Sequence, residues 1–346
     1  MTGILLRAAK NTILLAAAAT GVDKAIRNSA WRRRRLLILC YHGLSLADEH
    51  EWSDLYVTAD HLQDRLNLLL RTGYHILPLD EGVRRLYDGT LPSRSVAITF
   101  DDGFADFYLK GHPILCDLSV PSVLYLTTYY ATKQLPVFNP LLSYLLWKGQ
   151  GRTLALPGAL DGAVEIPRSP SRRATIHAHL LAHARQVGWS AEEKDAIAND
   201  ISAQIRFDIG ELRARRSFYL MSAAELADLD PNVVDIQLHT HRHRTPRDED
   251  QFVRELIDNR EAIRRLVPER RIPTHFCYPS GDYDVAFLPW LRREGVVSAT
   301  TCEAGIAGHY HDPLLLPRFL DSMETPRFLF ESWLAGTASF LPRRPR

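Results

Sequence analysis

This sequence predicts an α/β fold built on parallel strands, and three observations predict it. Short runs rich in branched aliphatic residues, such as LLILC (36–40), SVAITF (95–100) and VVDIQLH (233–239), recur along most of the chain. Segments with helical spacing separate them. Polar residues able to do chemistry stand where the apolar runs stop, and that is the strand end that carries ligands in parallel sheets and barrels. Strands alternating with helices make βαβ units, arranged as a doubly wound sheet or as a barrel.

Residues 1–35 precede the first strand. Their apolar stretch from Thr12 to Thr20 is too short to span a bilayer as a helix. Cations upstream and small residues within resemble a signal peptide, but no clear cleavage site follows and arginines fill 32–35. We expect a basic helical segment making peripheral contact with a membrane. The protein would then be cytoplasmic or held on the cytoplasmic face, with an exported form as the alternative.

LLILC reads as a buried strand, followed by a helix over Ala59–Arg71 that puts Leu62, Leu66, Leu69 and Leu70 on one face. Then come the short run HILPL (75–79), the helical EGVRRLYDG (81–89) and the strand SVAITF. VLYLTT (123–128), VVDIQLH, a long helix near 248–267, HFCYP (275–279), a helix in LPWLRREG (288–295) and VVSATT (296–301) continue the alternation.

Between residues 137 and 216 the alternation stops, and helical patterns such as RRATIHAHLLAHARQVG take over. We read a helical insertion that divides one domain into 36–136 and 217–335, with a tail at 336–346. His179 and His183 have the spacing of two ligands on one helix face, but no acid lies near in sequence. With His177 they read as surface or packing histidines.

A net charge of +1 on 346 residues gives no reason to expect nucleic acid or an acidic partner. Arginines in RELIDNREAIRRL (254–266) alternate with acids, as on a solvated helix face. Cys40, Cys116, Cys277 and Cys302 lie far apart without a CxxC pair, the pattern of buried reduced thiols.

Four strand ends could carry chemistry. Asp101 and Asp102 end SVAITF; in an extended segment neighbouring side chains point opposite ways, so one carboxylate could face a metal and the other a reacting water. The same DDG is also read as an aspartate cap on the next helix, with Gly103 making the turn. His239, His241 and His243 end VVDIQLH, and two histidines with one carboxylate form a catalytic metal arrangement; solvent-exposed loop histidines are the other reading. The turn at Tyr278-Pro279-Ser280-Gly281 could aim backbone N–H groups at an oxyanion, or be an ordinary tight turn. His42 could be a general acid, or a hydrogen-bonded structural histidine. Together the four suffice for metal-assisted hydrolysis of an acyl group.

TFDDG (99–103), then HTHRH (239–243) as H-T-x-x-H, then YPSGDY (278–283), resemble the successive motifs of the polysaccharide deacetylases, carbohydrate esterase family 4, the NodB-homology group. The likeness runs over roughly 36–136 and 217–320. It implies a distorted (β/α) barrel of about seven strands and removal of acetyl groups from a polysaccharide or glycan precursor, N-acetyl in the first place and O-acetyl as the alternative. It also implies a divalent ion, zinc with cobalt or nickel as alternatives, held by Asp102, His239 and His243. Asp101 becomes the general base, Thr240 holds the loop, and Tyr278 and Ser280 serve substrate and oxyanion. His241 falls at a variable position, facing substrate or standing behind the ligands, with ligation as the remaining option.

Two departures stand out. The third motif here, HFCYPSG, lacks the arginine that orients the base in many members; Arg318 in LPRF is the candidate to replace it. The late Leu-x-His motif of the general acid is also missing. LCYHGLS resembles a permuted branch with an early Tyr-His motif, which assigns that role to His42. A metallohydrolase acting on a non-carbohydrate amide and a non-catalytic glycan binder are the alternative functions.

Overall fold

The computed structural model describes residues 2–342, with side chains from residue 8 onward. Seven strands form its centre: β1 (Arg35–Tyr41), β2 (Ser95–Asp102), β3 (Ser122–Leu126), β4 (Val234–Leu238), β5 (His275–Cys277), β6 (Ser298–Ala304) and β7 (Leu316–Leu320). Each is parallel to its neighbours in chain order, and β7 pairs back with β1. The sheet therefore closes, and of the two expected arrangements the chain adopts the barrel.

The barrel is distorted in identifiable places. Register shifts between Thr300 and Ala304 where β6 meets β7. The first residues of β1 pair antiparallel with Ala307–Gly308, and those of β2 pair with His75–Ile76. HILPL thus supplies only a two-residue strand at the margin.

Side chains alternate across each strand. Leu37, Leu39, Val96, Ile98, Leu124 and Phe276 face outward into the helix layer. Leu36, Ile38, Ala97, Val123, Tyr125 and Cys277 face inward. Helix α1 (Thr2–Ala19) opens the chain, and α2 (Ala59–Arg71) begins at Thr58, whose hydroxyl accepts from the His61 N–H. On α2 the buried stripe is Leu62, Leu66, Leu68 and Leu69; Leu70, expected inward, is exposed because the helix turns Leu68 to the barrel instead. Helix α3 (Leu79–Tyr87) packs Leu79, Val83 and Leu86 on the inward-facing cluster. Gly82 lets α3 approach closely, since a Cβ there would lie 3.1 Å from Leu36.

The insertion contains α4 (Phe138–Lys148), α5 (Pro170–Val187) and α6 (Ala191–Gln204), plus a hairpin of Thr153–Ala155 with Ala163–Glu165 that the helical reading did not include. It has its own core, in which Leu142, Leu145, Ile166 and Ile201 are buried together with Tyr56 from the barrel side. Buried Glu49 ties the two barrel stretches that flank it: it accepts from the N–H groups of Leu46 and Ala47 and from the hydroxyl of Ser217, where the chain returns to the barrel. Helices α7 (Glu249–Leu266) and α8 (Arg327–Ala335) complete the barrel wall. Apart from Pro342, the PRRPR tail lies outside the described residues.

Candidate active site

The alternation of β2 sends Asp101 inward, where it is 2 % exposed. Both guanidinium arms of Arg318 donate to it at 2.7 Å. Arg318 reaches across from β7 and is anchored by the Thr301 carbonyl at 3.0 Å. Burial alone would raise the Asp101 carboxyl, but the charge and hydrogen bonds of Arg318, assisted by His42 and His239, hold it well below the usual carboxylate range. His42 follows the end of β1 and places Nε2 3.6 Å from Asp101 Oδ2. Burial draws its pKa below the ordinary value, against the pull of Asp101 and Asp102.

The thiols of Cys277 and Cys40 also approach Asp101 Oδ2, at 3.4 and 3.7 Å. All four cysteines are free thiols; Cys40 and Cys277 are buried, Cys116 and Cys302 partly so. Burial raises the pKa of both buried thiols.

Asp102 should point the other way, but its backbone turns. Its φ is 72°, in the left-handed region that few non-glycine residues occupy, aspartate among the more tolerant of them. Gly103 follows at φ 89°, and a Cβ there would fall 2.3 Å from Leu126. The following helix starts at Ala105, and neither aspartate side chain accepts from its first N–H groups, so neither caps it. The turn instead presents Asp102 Oδ1 to His239 Nε2 at 3.3 Å and to His243 Nε2 at 3.2 Å. Thr240 and His243 also have positive φ, at 59° and 52°. Strain of this kind persists only where the surroundings enforce it.

Those surroundings come from α7. Asn259, fully buried, accepts from the His239 N–H and donates to the Leu126 carbonyl and the Thr128 hydroxyl. Glu255 accepts from the Arg242 N–H at 2.8 Å and from the Arg244 guanidinium at 2.7 Å. The Thr240 hydroxyl accepts from the Arg244 N–H, closing the loop on itself. Sequence reasoning missed Asn259 and Glu255. Their signal was there: both are polar residues on the stripe that buries Phe252, Leu256 and Ile263.

The donor set suits a cation. The His239 Nδ1–H donates to the Cys277 carbonyl at 2.9 Å, which leaves an Nε2 lone pair aimed at Asp102. Asp102 Oδ1 is itself buried without a hydrogen-bond donor. Two lone-pair atoms held face to face are reconciled by a positive charge between them. Asp102, His239 and His243 form one of three groups of potential ligands among the described residues. The other two, Cys40–His42–Asp101 and Asp101–His239–Cys277, share Asp101, whose oxygens already face the Arg318 cation.

Other expected residues go elsewhere. His241 turns Nδ1 to the Thr128 hydroxyl at 2.8 Å and is not in these ligand groups. Tyr278 points outward into the core: its hydroxyl donates to the Leu314 carbonyl at 3.0 Å, and its backbone N–H to Thr300. Neither polar group is free for substrate or oxyanion, because inward Cys277 forces its neighbour outward. Ser280 is exposed on the turn at φ 57°. In the insertion, His177 and His179 bind the carbonyls of Asn139 and Ala159, and His183 packs on Trp189.

The chain is similar to three solved structures along most of its length. One is a Streptococcus pyogenes deacetylase, PplD, in complex with acetate: 18 % identity, 89 % of this chain and 99 % of that one, TM-score 0.57. Another is IcaB from Ammonifex degensii, with 15 % identity over 87 % and 97 % of the two chains and a TM-score of 0.54. The third is a de-N-acetylase from Aggregatibacter actinomycetemcomitans, with 14 % identity over 86 % and 99 % and a TM-score of 0.54. At these identities the likeness shows the fold. No curated protein matches the sequence. The sequence profile of polysaccharide deacetylases, however, matches residues 88–298, from before β2 into the start of β6, a stretch that contains Asp101, Asp102 and both facing histidines. With that match over more than half of its length, the chain belongs to the polysaccharide deacetylase family.

Proposed function

We propose that this deacetylase is metal-dependent and removes N-acetyl groups from a polysaccharide or a glycan precursor. The observation that carries the reading is the convergence of Asp102 Oδ1, His239 Nε2 and His243 Nε2 beside the Arg318-clamped Asp101. A divalent ion held by Asp102, His239 and His243 would act as a Lewis acid toward the acetyl carbonyl and acidify the attacking water; imidazole and carboxylate donors suit zinc, and cobalt or nickel as well.

Asp101 accepts the proton of that water while Arg318 keeps its carboxylate in place. His42 Nε2, 3.6 Å from Asp101, stands where it can take this proton and pass it to the leaving nitrogen. An amine leaves only when protonated, so an acid beside the base favours N-acetyl over O-acetyl substrates. Ser280 lies on the exposed turn after Cys277 and offers its backbone N–H to the developing oxyanion. His239 is held in one tautomer by Cys277, and Thr240 keeps the loop shut behind it.

The test is acetate release from a panel of N- and O-acetylated oligosaccharides and small cyclic amides, with metal content measured on the same protein. We expect release from N-acetylated glycans, loss with EDTA, and recovery with zinc, cobalt or nickel. Metal-free protein indifferent to EDTA and inactive on every glycan would overturn the reading in favour of a glycan binder. Activity confined to cyclic amides would replace the substrate class.

A further inference from the structure

Helix α1 buries Leu14 and Ala17. Its other side is apolar too: Ile13 is 54 % and Leu15 50 % exposed, and no charged residue occurs from Asn11 to Val22. A helix apolar on all sides is ordinarily covered. The same segment segregates charge. Residues 1–35 carry eight Lys or Arg against one Asp, a net +7, so with +1 overall the rest of the chain carries −6. Arg32 is consumed internally, donating to the carbonyls of Leu334, Arg35 and Ser95. Lys24, Arg33 and Arg34 are exposed.

We propose that this segment is a docking surface for an anionic lipid bilayer, with Ile13 and Leu15 entering the headgroup region and the basic residues meeting the lipid charge. A second copy of the chain fits less well, because a two-fold contact would bring two +7 segments together. Crossing is not involved: no described helix is long and apolar enough to span a membrane. Ser95, which receives Arg32, begins β2, so the segment adjoins the barrel end opposite to Asp101 and Asp102. Docking there leaves the catalytic mouth open.

The experiment is sedimentation of the full chain with phosphatidylcholine vesicles, with and without 30 mol % phosphatidylglycerol. We expect binding only to the anionic vesicles, weakening from low to high salt. The double variant I13E/L15E should bind at least tenfold more weakly. Each reversed charge in R33E/R34E should cost roughly fivefold or more. These positions are exposed, and unchanged melting temperature and acetate release would show that the variants stay folded. Binding to neither vesicle, or equal binding by wild type and I13E/L15E, overturns the proposal. So does a dimer in light scattering that I13E/L15E dissociates.

Discussion

Asp101 and Arg318 form a buried ion pair whose value depends on both members being present. Arg318→Ala leaves an uncompensated charge in the barrel interior, at a cost of about 3–5 kcal/mol. We expect its urea midpoint to drop and its kcat to fall about a hundredfold or more, with KM little changed. His42→Ala should lower kcat by a similar factor while leaving metal content and melting temperature near wild type. Coincident loss of metal would make His42 a ligand rather than an acid. The two residues differ in how visible they are in sequence. His42 comes directly after a strand in a Tyr-His pair, whereas Arg318 is one arginine among many. Its role depends on β7 closing the barrel beside β1, one strand away from β2, a closure that no local pattern encodes. Tyr278 shows the same limit: the turn was legible, but the side-chain direction depended on Cys277 facing in.

At the scale of elements, the histidine loop is held by α7 more than by β4. Asn259→Ala would leave the His239 N–H and the Leu126 carbonyl buried without partners, at about 1–3 kcal/mol each. Metal affinity should fall by about 10–100-fold, as when the support of a ligand is removed, and titration with zinc checks it. A second test concerns Asp106, buried between β2 and the following helix, which accepts from the Leu44 N–H. Burial, with Glu49 and Asp102 nearby, pushes its carboxyl well above the usual range, outweighing the Leu44 hydrogen bond. A raised carboxyl favours the fold while protonated, and that contribution is lost as pH rises through the folded value. Asp106→Asn keeps the acceptor without the charge, so it should raise the melting temperature at alkaline pH and have little effect in acid. The positions of β1 to β6 were legible because each is a compact apolar run, whereas β7 is interrupted by Pro317 and Arg318. The supports were legible only in part: Asn259 and Glu255 interrupt the apolar stripe of α7, but the loop they hold is seen only once α7 is packed on the barrel.

At the scale of the whole molecule, the barrel and the insertion meet at a few polar fasteners around an aromatic contact. Asp48 on the barrel side binds Lys148 and the Tyr144 hydroxyl on α4. Burial tends to raise its carboxyl, but Lys148 and Tyr144 hold it below the usual value. A depressed carboxylate stabilises the fold above its unfolded pKa of about 3.9 and loses that contribution as pH falls through the lower folded value. Acid should therefore loosen the insertion, visible as faster hydrogen exchange in α4 below about pH 4. Asp48→Asn should remove that part of the pH dependence. The break in the strand rhythm between residues 137 and 216 was legible. The hairpin within it was not, since three-residue strands carry too few side chains to show a period.

Barrel closure also sets an order in time. Synthesis delivers His42 first, then both aspartates, then the histidines, and Arg318 after all of them. A chain growing on the ribosome thus holds every other member of the site while Asp101 still lacks its counter-charge. Completion of the barrel and pairing of Asp101 with Arg318 are one event, and a protein released before residue 318 has neither.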